Sequence, residues 1–313
     1  MLRKEVDVLS FLFVIVSIIA TAALTAQGIF IKQFSDKRPG AEITYTCVSA
    51  LCAFVLFGII ALTSGSQFNP QSIVYSLLFA VCYAGATVMY VLAIGCGSLA
   101  ITTTIYSFAL IIPTLLGFVI WNEPVNVVKI IGLALFFLSV LLVGEKDDGN
   151  GNKMSVKWIV LVCIAFFFEG FAPVAIKLHS TALGEEAASA GNGMFMVLAY
   201  AISFVGLLIA SLIGERKDKS SEVLVKGNKF FLESIKIALP LASLGGICNG
   251  IYNFMTTVVS NKGFNVSVFF PVVSAGQLIL TCVLAVTMFK EKLTIKQLFA
   301  IGFGAVAIIL LNM

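Results

Sequence analysis

One carboxylate stands where apolar sequence should exclude it. Glu169 lies in Phe166-Phe167-Phe168-Glu169-Gly170-Phe171-Ala172-Pro173, and no other acidic residue of the chain is so deeply set among apolar neighbours. An ionised side chain near a bilayer centre costs on the order of 2.5–3.5 kcal/mol on insertion scales, so its presence needs a reason. Two readings are open: a protonated, hydrogen-bonded structural glutamate, or a site that takes up a proton or a cation. Pro173 bears on the choice. Proline has no N–H to give the carbonyl four residues earlier, here that of Glu169, and Gly170 lets a neighbour approach. A carboxyl beside a freed carbonyl is a local acceptor for a cation or proton; the plainer reading of Pro173 is a kink.

Other prolines repeat the theme. Pro113, Pro240 and Pro271 would free the carbonyls of Ala109, Lys236 and Ser267 in otherwise continuous helices, although Pro240 reads as near a helix start. Polar side chains gather around these points: Thr102, Thr103, Thr104, Tyr106 and Ser107; Asn249, Tyr252 and Asn253; Ser274 and Gln277; and, upstream, Tyr83 and Tyr90. Asn249 and Asn253 are four apart, hence on one helix face, and Thr103, Tyr106 and Ser107 share a face as do Ser274 and Gln277. These stripes either line one solute cavity or hydrogen-bond helix to helix. For a single Ser or Thr the second reading is the commoner; the two asparagines and Gln277 are harder to bury without a partner.

The elements that must hold these groups follow from composition. The 313 residues are 59% hydrophobic and 12% charged, with a mean hydropathy of +1.05, whereas soluble domains carry about 25% charge. A membrane helix needs about 20 mostly apolar residues. Such runs fill the chain, at roughly 9–33, 43–63, 71–95, 98–120, 126–144, 157–178, 190–213, 235–260, 265–289 and 295–312. Stretches such as Phe11–Ala23 are apolar on every face, unlike the alternating strands of a membrane barrel. The expected class is therefore an all-α integral membrane protein with ten transmembrane helices, multi-pass, in the plasma membrane. Six of the seven cysteines fall in predicted spans and Cys96 directly after one; all read as small buried hydrophobes. Arg3, Lys4 and Ala20-Thr21-Ala22 have a signal-peptide look, but the apolar run continues to Ile31, so the first helix is expected to stay.

The chain also repeats itself. An offset of 145 lays Lys32 on Lys177, Ile31 on Ile176 and Ala20 on Ala165, each lysine closing its helix. An offset of 168 lays Glu123 on Glu291, Leu110 on Leu278, Ile111 on Ile279 and Leu116 on Leu284. The slack of 23 fits the polar loop 214–233 against its short counterpart Thr63–Pro70. The expected organisation is one five-helix repeat over 1–150 and a second over 151–313. Five being odd, the copies run in opposite senses, as in many secondary transporters. Pro124 suits the first turn of a helix, Glu123 would favour that helix's positive end, and Thr294-Ile295-Lys296-Gln297 fits a capping box. Lys32 and Lys177 read as snorkelling to headgroups, with gating or anion binding as the alternative. Gly246 and Gly250 permit tight helix contact.

Closing lysines, a glutamate after the fourth helix of each half (Trp121-Asn122-Glu123-Pro124; Phe289-Lys290-Glu291-Lys292-Leu293-Thr294) and glycine-containing last helices (Gly132; Gly302, Gly304) give the chain a likeness. It resembles the drug/metabolite transporter superfamily, EamA type, over nearly its full length. The resemblance implies ten helices as five plus five and transport of a metabolite, without naming the solute. A basic residue often opens the second helix in that family, whereas Arg38 lies earlier, in the loop.

Exclusions narrow the function. No G-x-x-x-x-G-K-[ST] motif occurs, which argues against a self-powered pump. No catalytic constellation for a membrane-embedded transferase is visible, so no enzyme activity is expected. His179 is the only histidine and has no cluster around it, so neither metal nor cofactor is expected. The net charge of +4 does not point to nucleic acid. The expectation is a secondary transporter of a small polar metabolite such as an amino acid or amine. Its substrate-binding set is Glu169, Asn249, Asn253, Tyr83, Thr103, Tyr106, Ser274 and Gln277; its coupling and gating set is Glu169, Pro173, Lys32 and Lys177. The partners expected are a small-molecule solute and the lipid bilayer, the protein being a monomer or homodimer. A lipid-linked flippase and a non-transporting receptor or scaffold are the alternatives. Five Lys or Arg fall on the side of the termini against fourteen opposite, which places the termini outside by the positive-inside rule, whereas the resemblance implies cytoplasmic termini.

Overall fold

The computed structural model describes residues 2–38, 40–94, 102, 105–106, 108–144, 156–213, 215–217, 224–287 and 295–311. Expectations placed on Thr103, Thr104, Ser107, Cys96, Thr294 and the Lys290-Glu291-Lys292 run lie outside these residues, as do the side chains of Cys282 and Gln297. Ten α-helices are delimited among them: α1 (Leu2–Lys37), α2 (Glu42–Ser64), α3 (Ser72–Ile94), α4 (Ile111–Val119), α5 (Val127–Gly144), α6 (Val156–Leu183), α7 (Glu185–Leu212), α8 (Gly227–Asn261), α9 (Val266–Thr287) and α10 (Ile295–Leu311). Six of these, α1, α2, α3, α6, α7 and α8, are long and apolar enough to cross a membrane; the described apolar stretches of the other four are shorter. The outer surface carries Phe11, Ile18, Leu62, Val74, Val156 and Ile295, all exposed. A surface this apolar is what lipid covers and water would not tolerate, an architecture consistent with an integral membrane protein.

The helices do not pack in chain order. α1 lies along α8 and α3 along α6, while α2 pairs with α7 and α5 with α10. α9 touches both α1 and α4. Glycines set the closest approaches. A Cβ at Gly246 would sit 2.7 Å from the Ser49 Cα, one at Gly193 2.9 Å from the Ala61 Cα, and one at Gly132 3.1 Å from the Leu310 Cβ. These bring α8 onto α2, α7 onto α2, and α5 onto α10. The tight contact expected of Gly246 and Gly250 is thus used within the molecule, against Ser49 and Leu56. Hydroxyls inside the bundle are largely satisfied by their own helix: Ser17, Thr21 and Thr25 each donate to the carbonyl four residues back, at 2.7–2.8 Å.

Several expectations need correction. Within the fourth span, Thr102, Ile105 and Tyr106 are helical, but a 3-10 turn, Phe108–Leu110, interrupts the α-helix before α4, and Pro113 sits at the third position of α4, where its missing N–H costs little. Pro124 does not open a helix; residues 122–126 are irregular, and α5 begins at Val127 with Asn126 Oδ1 accepting the Lys129 N–H at 2.7 Å. Pro240 is not terminal, because α8 starts at Gly227 and carries it inside. The segment 214–233 is not simply a solvated loop. Glu215–Lys217 and Leu224–Lys226 pair as an antiparallel ribbon, Arg216 opposite Val225, and Gly227 onward is helical. Cys163 is exposed on the apolar surface rather than buried.

Candidate functional site

Glu169 stands midway along the 28-residue α6, and its two chain neighbours both make close contacts with other elements. Phe168 lays its ring against Gly85 of α3. Gly170 faces the turn before α4, where a Cβ would lie 2.7 Å from the Ala109 carbonyl oxygen. The carboxyl is thereby held between α3 and the broken start of α4. Tyr106 donates its hydroxyl to Glu169 Oε2 at 2.5 Å, and the Tyr106 ring stacks on that of Tyr90 with centroids 4.1 Å apart. Pro173 lies inside α6, so the Glu169 carbonyl receives no helical hydrogen bond from it. The carboxyl is partly buried, and Tyr200, Tyr252 and Cys82 lie within its electrostatic reach.

A second polar group sits in the same region. Tyr200 of α7 donates to Asn249 Oδ1 at 2.6 Å and accepts from Asn253 Nδ2 at 2.9 Å. Asn253 Nδ2 also reaches Asn249 Oδ1 at 3.0 Å, and Asn249 Nδ2 donates to Gln27 Oε1 of α1 at 3.3 Å. All four residues are buried. Rings enclose them: Phe57 stacks on Tyr200 at 5.5 Å, and Tyr83 meets it edge-on at 5.1 Å. The middle of the bundle thus holds one acidic group and one neutral amide–phenol network, side by side and walled by aromatic faces. Such a lining can hold a proton at a fixed place and hydrogen-bond a polar solute on both its donors and its acceptors.

A cavity of about 370 Å³ opens at one end of the bundle, lined among others by Trp121, Glu123, Lys177, Glu185, Ser260 and Asn265. Glu123 does not serve its own following helix. Its carboxylate accepts the N–H of Val266 at 3.0 Å and of Ser267 at 2.8 Å, so it caps α9. Asn122 makes this possible: it takes a left-handed φ of 49°, ending α4 in a turn closed by Glu123 N–H to the Gly117 carbonyl at 3.1 Å. Gly184 (φ 80°) and Gly263 (φ 69°) make the tight α6–α7 and α8–α9 turns at the same end. Lys177, read from sequence as snorkelling to headgroups or else as gating or anion-binding, lines this cavity within electrostatic reach of Glu123 and Glu185.

The structure therefore brings together Glu169 and Tyr106, and separately Asn249, Asn253 and the ring of Tyr83. Ser274 is buried in α9, and Gln277 is partly buried there without a hydrogen bond to either group. Lys32 is partly buried near the end of α1. Thr103 lies outside the described residues. His179, which directly follows the predicted span 157–178, is buried inside α6, bonded to Ser72 Oγ at 2.9 Å and stacked on Phe195 at 4.1 Å. It joins α3, α6 and α7 and has a packing role. Gln27 and Tyr200 were missed. An amide within Leu24-Thr25-Ala26-Gln27-Gly28 was as unusual in its surroundings as Glu169, and was the signal available.

No family model and no curated protein sequence matches the chain. A solved structure titled only "Crystal structure of protein" resembles it over 95% of this chain and 98% of that one, with a TM-score of 0.64 and 12% sequence identity. At that identity the likeness is one of fold alone, and it extends over both chains almost end to end.

Proposed function

We propose that the protein is a secondary transporter that moves a small polar metabolite across a membrane by alternating access, with Glu169 as the proton-coupling residue. The observation that carries this reading is the Glu169–Tyr106 pair beside the Gln27–Tyr200–Asn249–Asn253 network, in the middle of helices that are otherwise apolar. Polar groups placed so deep are functional by default in membrane proteins.

The same reading takes the ten helices as transmembrane and the halves 1–150 and 151–313 as inverted repeats of the EamA type. The pairing of helices supports it. If α1 to α5 correspond in order to α6 to α10, the α1–α8 contact becomes the α6–α3 contact, and α2–α7 and α5–α10 each map onto themselves. All of these pairings are present. An inverted pair of this kind supplies two equivalent end states, which alternating access needs.

The test is uptake into proteoliposomes. A metabolite panel is first screened for thermal stabilisation of the purified protein, since a ligand stabilises the state it binds. A stabilising solute should then accumulate under an imposed pH gradient, and Glu169→Gln should abolish that accumulation while leaving folding intact. Undiminished gradient-driven uptake by the Gln variant would remove Glu169 from the coupling role.

A further inference from the structure

Glu123 is the one described carboxylate that ties the backbone of residues 1–150 to that of 151–313 by two hydrogen bonds. It belongs to the connection after α4, and both its acceptor oxygens are occupied by the first turn of α9. The ties are charge-assisted and aligned with a helix N-terminus, the stronger class of hydrogen bond. The segment they hold lacks one tie to its own helix. Pro271 has no N–H for the Ser267 carbonyl, so the turn Val266–Phe270 lacks one of the ladder bonds that would fasten it to the rest of α9. The Ser267 hydroxyl is buried without a hydrogen-bond partner, and the contact is close, since a Cβ at Gly117 would lie 3.0 Å from Glu123 Oε2 and 3.1 Å from the Ser267 Cβ. Directly beside it is the cavity that holds Lys177 and Glu185.

We infer that Glu123 is a latch and Pro271 its hinge: the carboxylate holds the first turn of α9 across the end of the bundle where α4, α6 and α8 finish, and its release opens that end toward the cavity and the helices behind it. Lys177 and Glu185 are placed to compete for the loosened groups. In the open state Lys177 takes over the Glu123 carboxylate, and the freed N–H groups of α9 turn to water. The inference rests on the transporter reading only for its purpose. The opening itself is a property of the fold and is measurable without a solute.

The experiment reads accessibility. Ser260→Cys places a thiol in the cavity wall, where the native side chain is buried and its hydroxyl unpartnered. The purified full-length protein in detergent is treated with a charged, membrane-impermeant maleimide, and the labelling of protein without Ser260→Cys is subtracted. Adding Glu123→Ala should speed labelling of the new thiol about tenfold, equivalent to ~1.4 kcal/mol on the closed–open equilibrium. Glu123→Gln, which keeps one acceptor oxygen, should fall between. Pro271→Ala, made with Glu123 intact, restores the missing ladder bond and should slow labelling below the parent rate; it keeps the question open to refutation if the Glu123 variants fold poorly. Equal labelling with and without Glu123, or a Pro271→Ala protein labelled as fast as its parent, overturns the latch. Accelerated labelling without any solute flux would uphold the latch and count against transport.

Discussion

The amides and phenol at the bundle centre depend on one another more than on the helices that carry them. Tyr200 both donates to Asn249 and accepts from Asn253, so Tyr200→Phe removes one donor and one acceptor at once. The two asparagines keep each other, Asn253 Nδ2 still donating to Asn249 Oδ1, so the loss is that of two hydrogen bonds at about 0.5–1.5 kcal/mol each, and the melting temperature of the purified variant should fall accordingly. An unchanged melting temperature would mean that the bond between the two asparagines suffices without the phenol. Glu169 responds differently. Its hydrogen bond comes from Tyr106, and a neutral glutamine still offers an oxygen to that hydroxyl, which is why the Gln variant should fold and yet lose coupling. The sequence made Glu169 conspicuous because charge among phenylalanines is conspicuous. It also paired Asn249 with Asn253 by their spacing of four. It did not expose Tyr200, because a tyrosine in an apolar helix is ordinary, and nothing local says that its hydroxyl meets α8 rather than lipid.

At the scale of helices, the glycines discriminate between contact and open surface. A methyl group at Gly246 meets the Ser49 backbone, which cannot step aside as a side chain could; at Gly206 it meets nothing within 4 Å. Gly246→Ala should therefore lower stability by about 1–3 kcal/mol, and Gly206→Ala should leave it unchanged or slightly raised through helix propensity. Thermal unfolding of the two variants side by side checks this. Helix positions were largely legible, since a run of about 20 apolar residues is a strong signal. What failed was local and non-apolar. The start of α8 at Gly227 runs through Lys229 and Glu233, which read as loop. Glu123 beside Pro124 read as the opening of the next helix. The carboxylate instead crosses to a helix more than a hundred residues away, and spacing along the chain carries no trace of such a partner.

Taken whole, the molecule has no seam at residue 150. α1 is packed on α8, and α3 on α6, so each half of the chain completes its interior with helices of the other. Residues 1–150 expressed alone should aggregate or be degraded, and so should 151–313. Co-expressed as two chains, they should recover a monodisperse complex by size-exclusion chromatography. A stable, monodisperse single half would contradict the interleaved packing. Composition revealed the apolar, helical character of the whole, but this interleaving was not legible, because apolar helix surfaces resemble one another. The interleaving also has a consequence in time. Gln27 is made early, and the side chain it bonds, Asn249, lies 222 residues downstream. At about 5–20 residues per second the amide waits roughly 10–45 s during synthesis before its partner exists. Throughout that interval the Gln27 amide lies in an apolar helix without this partner. The first helix therefore receives this hydrogen bond only after nearly four-fifths of the chain has been made.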